Sequence, residues 1–105
     1  MNEQKLKGLL GLALRAGQVS AGTDACRIQV RSGKCGLLLL DGTAGIHTRK
    51  KAEELCGKTG TQVKILPPGM IESATGRTNM LLGISKGSFS DQICMELMTE
   101  NEAPD

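Results

Sequence analysis

A near-continuous apolar run at residues 35–40 constrains the fold of this chain more than any other feature of its sequence. A strand with one face in water alternates between apolar and polar residues, whereas a strand covered on both faces does not alternate. Strands covered on both faces are typical of largely parallel sheets that carry helices above and below. The run therefore predicts a central strand in a layered α/β structure.

Helical and strand patterns alternate around this run. Before the central strand, we predict a helix ending at Gly17, an extended or loop segment at 18–21, and a helix from Thr23 or Asp24 to Gly33. After it, we predict a helix over about 46–56, a strand at Gln62–Leu66, a short helix over about 70–75 and a strand at 80–84. The last predicted helix is capped by Ser88 in a Ser-x-x-Asp box with Asp91. This order predicts an α/β protein, a three-layer α/β/α sandwich with a small mixed sheet of about four strands. Residues 1–98 form the predicted single domain, and residues 99–105 an acidic tail that we expect to fray.

The composition excludes several classes of protein. A chain of 105 residues has the size of one domain. It has one Phe and neither Trp nor Tyr, which excludes the reading of single strands by stacking successive bases on aromatic rings. No apolar run approaches the ~20 residues that cross a bilayer, and a signal-like stretch ends at Arg15, where a small-residue cleavage site would follow. We therefore expect a cytoplasmic protein without a membrane partner.

Cysteine and histidine usage gives no metal site. Cys26, Cys35, Cys56 and Cys94 form no C-x-x-C pair and fall on apolar positions. Disulfides in a secreted chain are one alternative, and four reduced core thiols are the favoured one. His47 is the only His, which excludes a Cys₂His₂ zinc site and an H-E-x-x-H helix. We expect no metal and no other cofactor.

The charge is distributed unevenly along the chain. Residues 1–90 hold all thirteen Lys and Arg against six carboxylates, which leaves +7, and the last fifteen residues hold five carboxylates, which returns the total to +2. A basic body favours an anionic partner through a sequence-independent field. A well-solvated surface remains the alternative to such a partner.

Two segments resemble parts of catalytic sites. Residues 52–59 fit a relaxed phosphate-loop pattern with Ala in place of the first Gly, but they end a predicted helix and include Glu53 and Glu54. A phosphate loop instead leads from a strand into a helix. His47 has no identifiable partner as a general base, and no nucleophile elbow occurs. We therefore predict that the chain is not an enzyme.

Two surface features leave alternatives open. Three successive cations at residues 49–51 lie where the helix dipole disfavours positive charge, which suggests either a bound anion or a solvated face. On the second helix, Ile28 lies about 200° from Cys26 and Val30 on a helical wheel. It is either an isolated exposed residue or part of a contact surface.

An ordered set of short motifs spans about residues 6–89. It comprises Leu9-Leu10-Gly11-Leu12-Ala13, Arg15-Ala16-Gly17, Gly22, Arg31-Ser32-Gly33-Lys34, the apolar run, Asp41, Thr48-Arg49-Lys50-Lys51, Leu55-Cys56, Ala74-Thr75-Gly76-Arg77, Gly83-Ile84, Gly87 and Phe89. Together these residues resemble the L-seven-Ae/L-thirty-e ribosomal protein family, and most closely its bacterial YlxQ-type members. The α/β/α sandwich of that family agrees with the predicted order of elements.

The resemblance implies binding of kink-turn RNA, a sharply bent helix–internal loop–helix with tandem sheared G·A pairs. Family members seat the start of the second helix in the widened groove. By position, Gly22 would let the backbone approach the RNA and Thr23 would offer a hydroxyl. Asp24, Ala25 and Ile28 occupy the Asn, Glu and Lys places of the family pattern and depart from it.

Other positions would supply phosphate and apolar contacts. We expect phosphate contacts from Arg27 and Arg31, which carry positive charge on the same helix. The resemblance implies an apolar loop that covers a flipped-out nucleotide, with Pro68, Met70 and Ile71.

The leading hypothesis is a non-catalytic, ribosome-associated protein that recognises a kink-turn-like structured RNA by shape and phosphate contacts. Its expected partner is structured ribosomal RNA rather than DNA, with ribosomal proteins or a second copy as further candidates. The alternative is a protein-interaction or adaptor module on the same scaffold, with weakened or lost RNA binding and a patch at Ala25 and Ile28.

Overall fold

The computed structural model describes residues 2–101, with side chains up to residue 98. Its elements are α1 (Glu3–Arg15), β1 (Val19–Ala21), α2 (Thr23–Arg31), β2 (Cys35–Asp41), α3 (Ile46–Thr59), β3 (Gln62–Leu66), α4 (Met70–Thr75), β4 (Leu81–Ser85) and α5 (Ser88–Asn101). All predicted elements are present in the predicted order. The predicted acidic tail lies outside the described residues from residue 102 onwards, and α5 extends to Asn101.

The four strands form one mixed sheet in the order β1-β4-β2-β3. Strand β2 pairs with β3 in parallel and with β4 in antiparallel fashion, and β4 also pairs with β1 in antiparallel fashion. The predicted mixed sheet of four strands and the central place of residues 35–40 are confirmed. The expectation of a largely parallel sheet is wrong, because an apolar run reports burial on both faces and does not report the direction of the neighbouring strands.

Helices cover both faces of the sheet, which explains the absence of alternation in β2. Leu37 and Leu39 pack into one core with residues of α1, α4 and α5. Leu38 and Leu40 pack into a second core with residues of α2 and α3. All four are at most 3% exposed, and each contributes roughly 1.5–3 kcal/mol of burial free energy.

Two helix ends differ from the sequence predictions. Helix α3 continues to Thr59 and ends at Gly60, which has a left-handed conformation with φ of 75°. The predicted cap of α5 is wrong, because the helix begins at Ser88 itself and the Ser88 hydroxyl accepts a hydrogen bond from the Gln92 amide. The Ser90 hydroxyl instead accepts from the Gly87 N–H at 3.2 Å.

The strand directions collect four loops at one edge of the sheet, which we call the carboxyl edge. Strands β1, β2 and β3 are mutually parallel and β4 runs the other way. The loops that follow β1, β2 and β3 therefore meet the loop that precedes β4. These loops contain residue 22, residues 42–45, residues 67–69 and residues 76–80.

Candidate nucleic-acid interface

The start of α2 is held at the carboxyl edge by a glycine that no other residue can replace without strain. Gly22 has φ of 93° and ψ of 162°, a region that is essentially restricted to glycine. Its N–H donates to the Leu81 carbonyl at 2.9 Å, and its carbonyl accepts from the Cys26 N–H at 3.0 Å. A Cβ at this position would lie 3.1 Å from the Asn79 amide nitrogen. No side chain of residues 2–98 caps the helix, so its first N–H groups are offered at this edge.

The outer face of α2 brings together most of the predicted site residues. The prediction that Ile28 is exposed is confirmed, since it is 70% exposed, and Arg31 is also exposed. Asp24 forms an ion pair with Arg27 at 2.8 Å. Thr23 is half-buried in the first turn. The helix therefore presents an ion pair, the exposed Arg31 guanidinium and one apolar side chain outwards.

The predicted apolar cover after β3 is wrong. Met70 and Ile71 are 3% and 0% exposed, and both side chains belong to the core below α1. The short α4 packs against α1, and the buried pair fixes it there. Burial leaves Pro68 and Gly69 as the exposed residues of this loop.

Asp41 is a buried carboxylate that joins two loops of the carboxyl edge. Its Oδ1 accepts from the Thr43 N–H at 2.8 Å and the Thr43 hydroxyl at 2.6 Å, and its Oδ2 accepts from the Gly69 N–H at 3.1 Å. Burial by itself raises the pKa of Asp41, but the hydrogen bonds from Thr43 and Gly69 outweigh it and hold the pKa below its usual range. The sequence analysis named Asp41 only as one of the motif residues and gave it no role, because nothing in the sequence shows that Gly69 is near.

Backbone bonds extend this link to α2. The Asp41 N–H donates to the Met80 carbonyl at 2.8 Å, and Met80 precedes Leu81, which is bonded to Gly22. The start of α2, the end of β2 and the loop with Pro68 are therefore joined by hydrogen bonds.

The cations at residues 49–51 divide into two roles. The Arg49 guanidinium donates to the Ala44 carbonyl at 3.1 Å and the Gly42 carbonyl at 3.2 Å, so it closes the loop after β2. The partners of the Arg49 guanidinium are therefore two backbone carbonyls rather than the bound anion that was one of the two alternatives for these cations. Lys50 and Lys51 are exposed.

A second buried polar residue that the sequence analysis did not single out lies on the inner side of α2. Gln29 is 8% exposed, and its amide nitrogen donates to the Ser85 hydroxyl at 3.2 Å. Its amide oxygen has no hydrogen-bond partner among the described residues. That oxygen lies where a Cβ on Gly83 would stand, which explains the glycine in β4.

The cysteines are free thiols in the structure. Burial raises the pKa of Cys26 to about 12 and that of Cys56 to about 11. Within residues 2–101, no three His, Cys, Asp or Glu side chains are grouped as metal ligands. None of the helices in this part of the chain is long and apolar enough to span a bilayer.

Comparisons with known proteins place this edge in a known fold. No protein-family model and no curated protein matches the chain. A Giardia lamblia 15.5 kD RNA-binding protein superposes with a TM-score of 0.71 at 15% identity, over 94% of this chain and 86% of its own. A Bacillus halodurans C protein of unknown function superposes with a TM-score of 0.84 at 32% identity, over 90% of this chain and 97% of its own. The chain has the fold of the first protein and belongs to the same family as the second.

Proposed function

We propose that this protein is a non-catalytic RNA-binding protein of the L-seven-Ae/L-thirty-e type, close to the YlxQ-type members. It recognises a kink-turn-like structured RNA through the start of α2 and the loop with Pro68. It acts in the cytoplasm as a component associated with ribosomal particles.

The observation that carries this proposal is the start of α2, which no described side chain caps, on a fold shared with an RNA-binding protein. Free N–H groups at a helix start are suited to phosphate oxygens. Gly22 has no side chain to obstruct the approach of a nucleic-acid backbone. Arg27 and Arg31 continue the positive charge along the exposed side of the same helix.

The chemistry of α2 favours recognition by shape and phosphate over reading of base edges. Ala25 has no polar side-chain atom, and Ile28 cannot donate a hydrogen bond. Asp24 is an acceptor occupied by Arg27. A lost base-edge donor costs about 1–3 kcal/mol of discrimination, whereas phosphate contacts set position and affinity. We therefore expect affinity for the bent backbone with reduced preference for the G·A pairs.

The first experiment titrates the wild type with a labelled kink-turn RNA and with the same RNA whose G·A pairs are replaced by Watson–Crick pairs. The same titrations are repeated with the variant Arg31→Gln and with its control, Arg15→Gln. Both arginines are exposed and lie in the last turn of a helix, so the variants match in charge and helix position. We expect tighter binding of the bent RNA and weaker binding by Arg31→Gln alone. Equal, weak and salt-insensitive binding of both RNAs would refute the proposal.

Association with ribosomal particles is tested separately. We expect the protein to co-sediment with these particles in a cell extract and to leave them after nuclease treatment. Sedimentation at the top of the gradient without nuclease would contradict this part of the proposal.

A second candidate function, an adaptor module, is favoured by the exposure of Ile28. The matched test compares Ile28→Lys with Met95→Lys, because Met95 on α5 is 67% exposed against 70% for Ile28. Stronger RNA binding by Ile28→Lys alone would indicate an RNA face that lacks its Lys donor. Loss of self-association or of a protein partner, with RNA affinity unchanged, would indicate the adaptor.

A further inference from the structure

A shallow groove of about 160 Å³ runs between α2 and α3, beside the start of α2. It is lined by Thr23, Arg27, Arg31, Lys51, Glu54, Leu55 and Lys58. Four of these seven residues are cations and one is an acid. The groove therefore differs from the carboxyl edge, where Asp41 and Arg49 are satisfied by neighbouring groups.

The cations form two rows along the two helices. Arg27 and Arg31 are one turn apart on α2, about 6 Å along the axis, and Lys51 and Lys58 are two turns apart on α3, about 10 Å. Both helices follow parallel strands, so the rows run in the same direction from the carboxyl edge. Among the described residues, only Arg27 of these four has an acidic partner within 4.0 Å.

We propose that this groove binds the phosphate backbone of an RNA arm that continues from the start of α2. This inference rests on the proposed function and extends it from the helix start to a track along two helices. Thr23 lies both at the helix start and in the groove, so a strand leaving the first site enters the second. Three of the four cations, Arg31, Lys51 and Lys58, are exposed. Two rows of cations, held apart by helix packing, suit a polymer with regularly spaced negative charges rather than a single small anion.

The experiment uses the α3 row, because Lys51 and Lys58 are not among the residues of the first site. The double variant Lys51→Gln/Lys58→Gln is compared with the wild type and with Arg15→Gln/Lys34→Gln, which removes the same charge from exposed positions outside the groove. Each protein is titrated over a range of salt concentrations with a kink-turn RNA whose arm is short or extended by a further helical turn. We expect the slope of log affinity against log salt to fall by roughly 1.4–1.8 for the groove variant on the long-arm RNA, at about 0.7–0.9 per phosphate contact, and to stay unchanged for the control.

The outcomes separate this inference from the proposed function. If the wild type prefers the bent RNA and the groove variant behaves like the control, the groove proposal is overturned and the function stands. If the kink-turn RNA and the RNA with its G·A pairs replaced bind the wild type equally, kink-turn recognition fails. If, in the same case, the groove variant alone loses salt dependence on the long-arm RNA, the groove proposal stands. No RNA binding by the wild type at low salt overturns both. Displacement of the long-arm RNA by an equal charge of polyglutamate would assign the groove to acidic peptides and overturn its assignment to RNA.

Discussion

Replacement of the buried Asp41 carboxylate by an amide, Asp41→Asn, gives the sharpest test of how the carboxyl edge is held together. Asn has the same shape but only one acceptor oxygen. If that oxygen takes the Oδ1 place, it keeps the two bonds from Thr43 and turns an NH₂ towards the Gly69 N–H. The Gly69 N–H then faces a donor in place of its charged acceptor, at a cost of about 1–3 kcal/mol. The two remaining bonds lose their charge assistance, which adds roughly 1 kcal/mol.

We therefore expect Asp41→Asn to lower the free energy of unfolding by about 2–4 kcal/mol at pH 7. The control is Glu53→Gln, which removes the same charge from an exposed side chain on α3 and is expected to stay within about 0.5 kcal/mol of wild type. Because the chain lacks Trp and Tyr, unfolding in urea is followed by far-ultraviolet circular dichroism. Equal midpoints and slopes for the two variants would refute the assigned role of Asp41.

The pH dependence of the same comparison gives a second check. The folded-state pKa of Asp41 is lowered, so the stabilisation by its carboxylate is complete above the unfolded-state pKa of about 3.9. It is lost as the pH falls through the lower folded-state pKa. The difference between wild type and Asp41→Asn should therefore be constant from pH 7 to about pH 5 and shrink below pH 4. A difference that grows on acidification would contradict the assignment.

Two further predictions follow from the backbone and from burial. Gly22→Ala should lower the free energy of unfolding by about 1–3 kcal/mol, because the φ of residue 22 is positive and a Cβ there would approach Asn79. The control Gly8→Ala, in open space on α1, should raise the free energy of unfolding by up to about 1 kcal/mol. Similar urea midpoints for both variants would contradict the strain at residue 22. Cys26, 0% exposed and with its pKa raised to about 12, should stay unmodified by iodoacetamide at pH 8 in the folded protein and react after unfolding in urea; mass spectrometry showing equal rates in the two states would disprove its burial.

Local pattern predicted the elements well because burial and chain geometry act over a few residues. Residues 35–40 indicated a strand covered on both faces, and the side chains of Leu37 and Leu38 in β2 pack into two different cores. The wheel position of Ile28 predicted its exposure, because the opposite stripe with Cys26 and Val30 must face the sheet. Local pattern also predicted the short helix over about 70–75, which is confirmed as α4. The apolar cover formed by Met70 and Ile71 was implied only by the family resemblance, and it is wrong because both side chains are buried beneath α1.

The sequence by itself determined the order of elements, the central strand and the outward face of α2, because hydrophobic periodicity is a property of neighbouring residues. Only the tertiary structure decided which loops meet. The insertion of β4 between β1 and β2 brings Leu81 to Gly22 and Met80 to Asp41, and the parallel pairing of β3 brings Gly69 within reach of the same carboxylate. The tertiary structure also places α3 beside α2 and so forms the groove with Lys51 and Lys58. Such contacts join residues up to about sixty positions apart, and their formation depends on strand order, which no local pattern encodes.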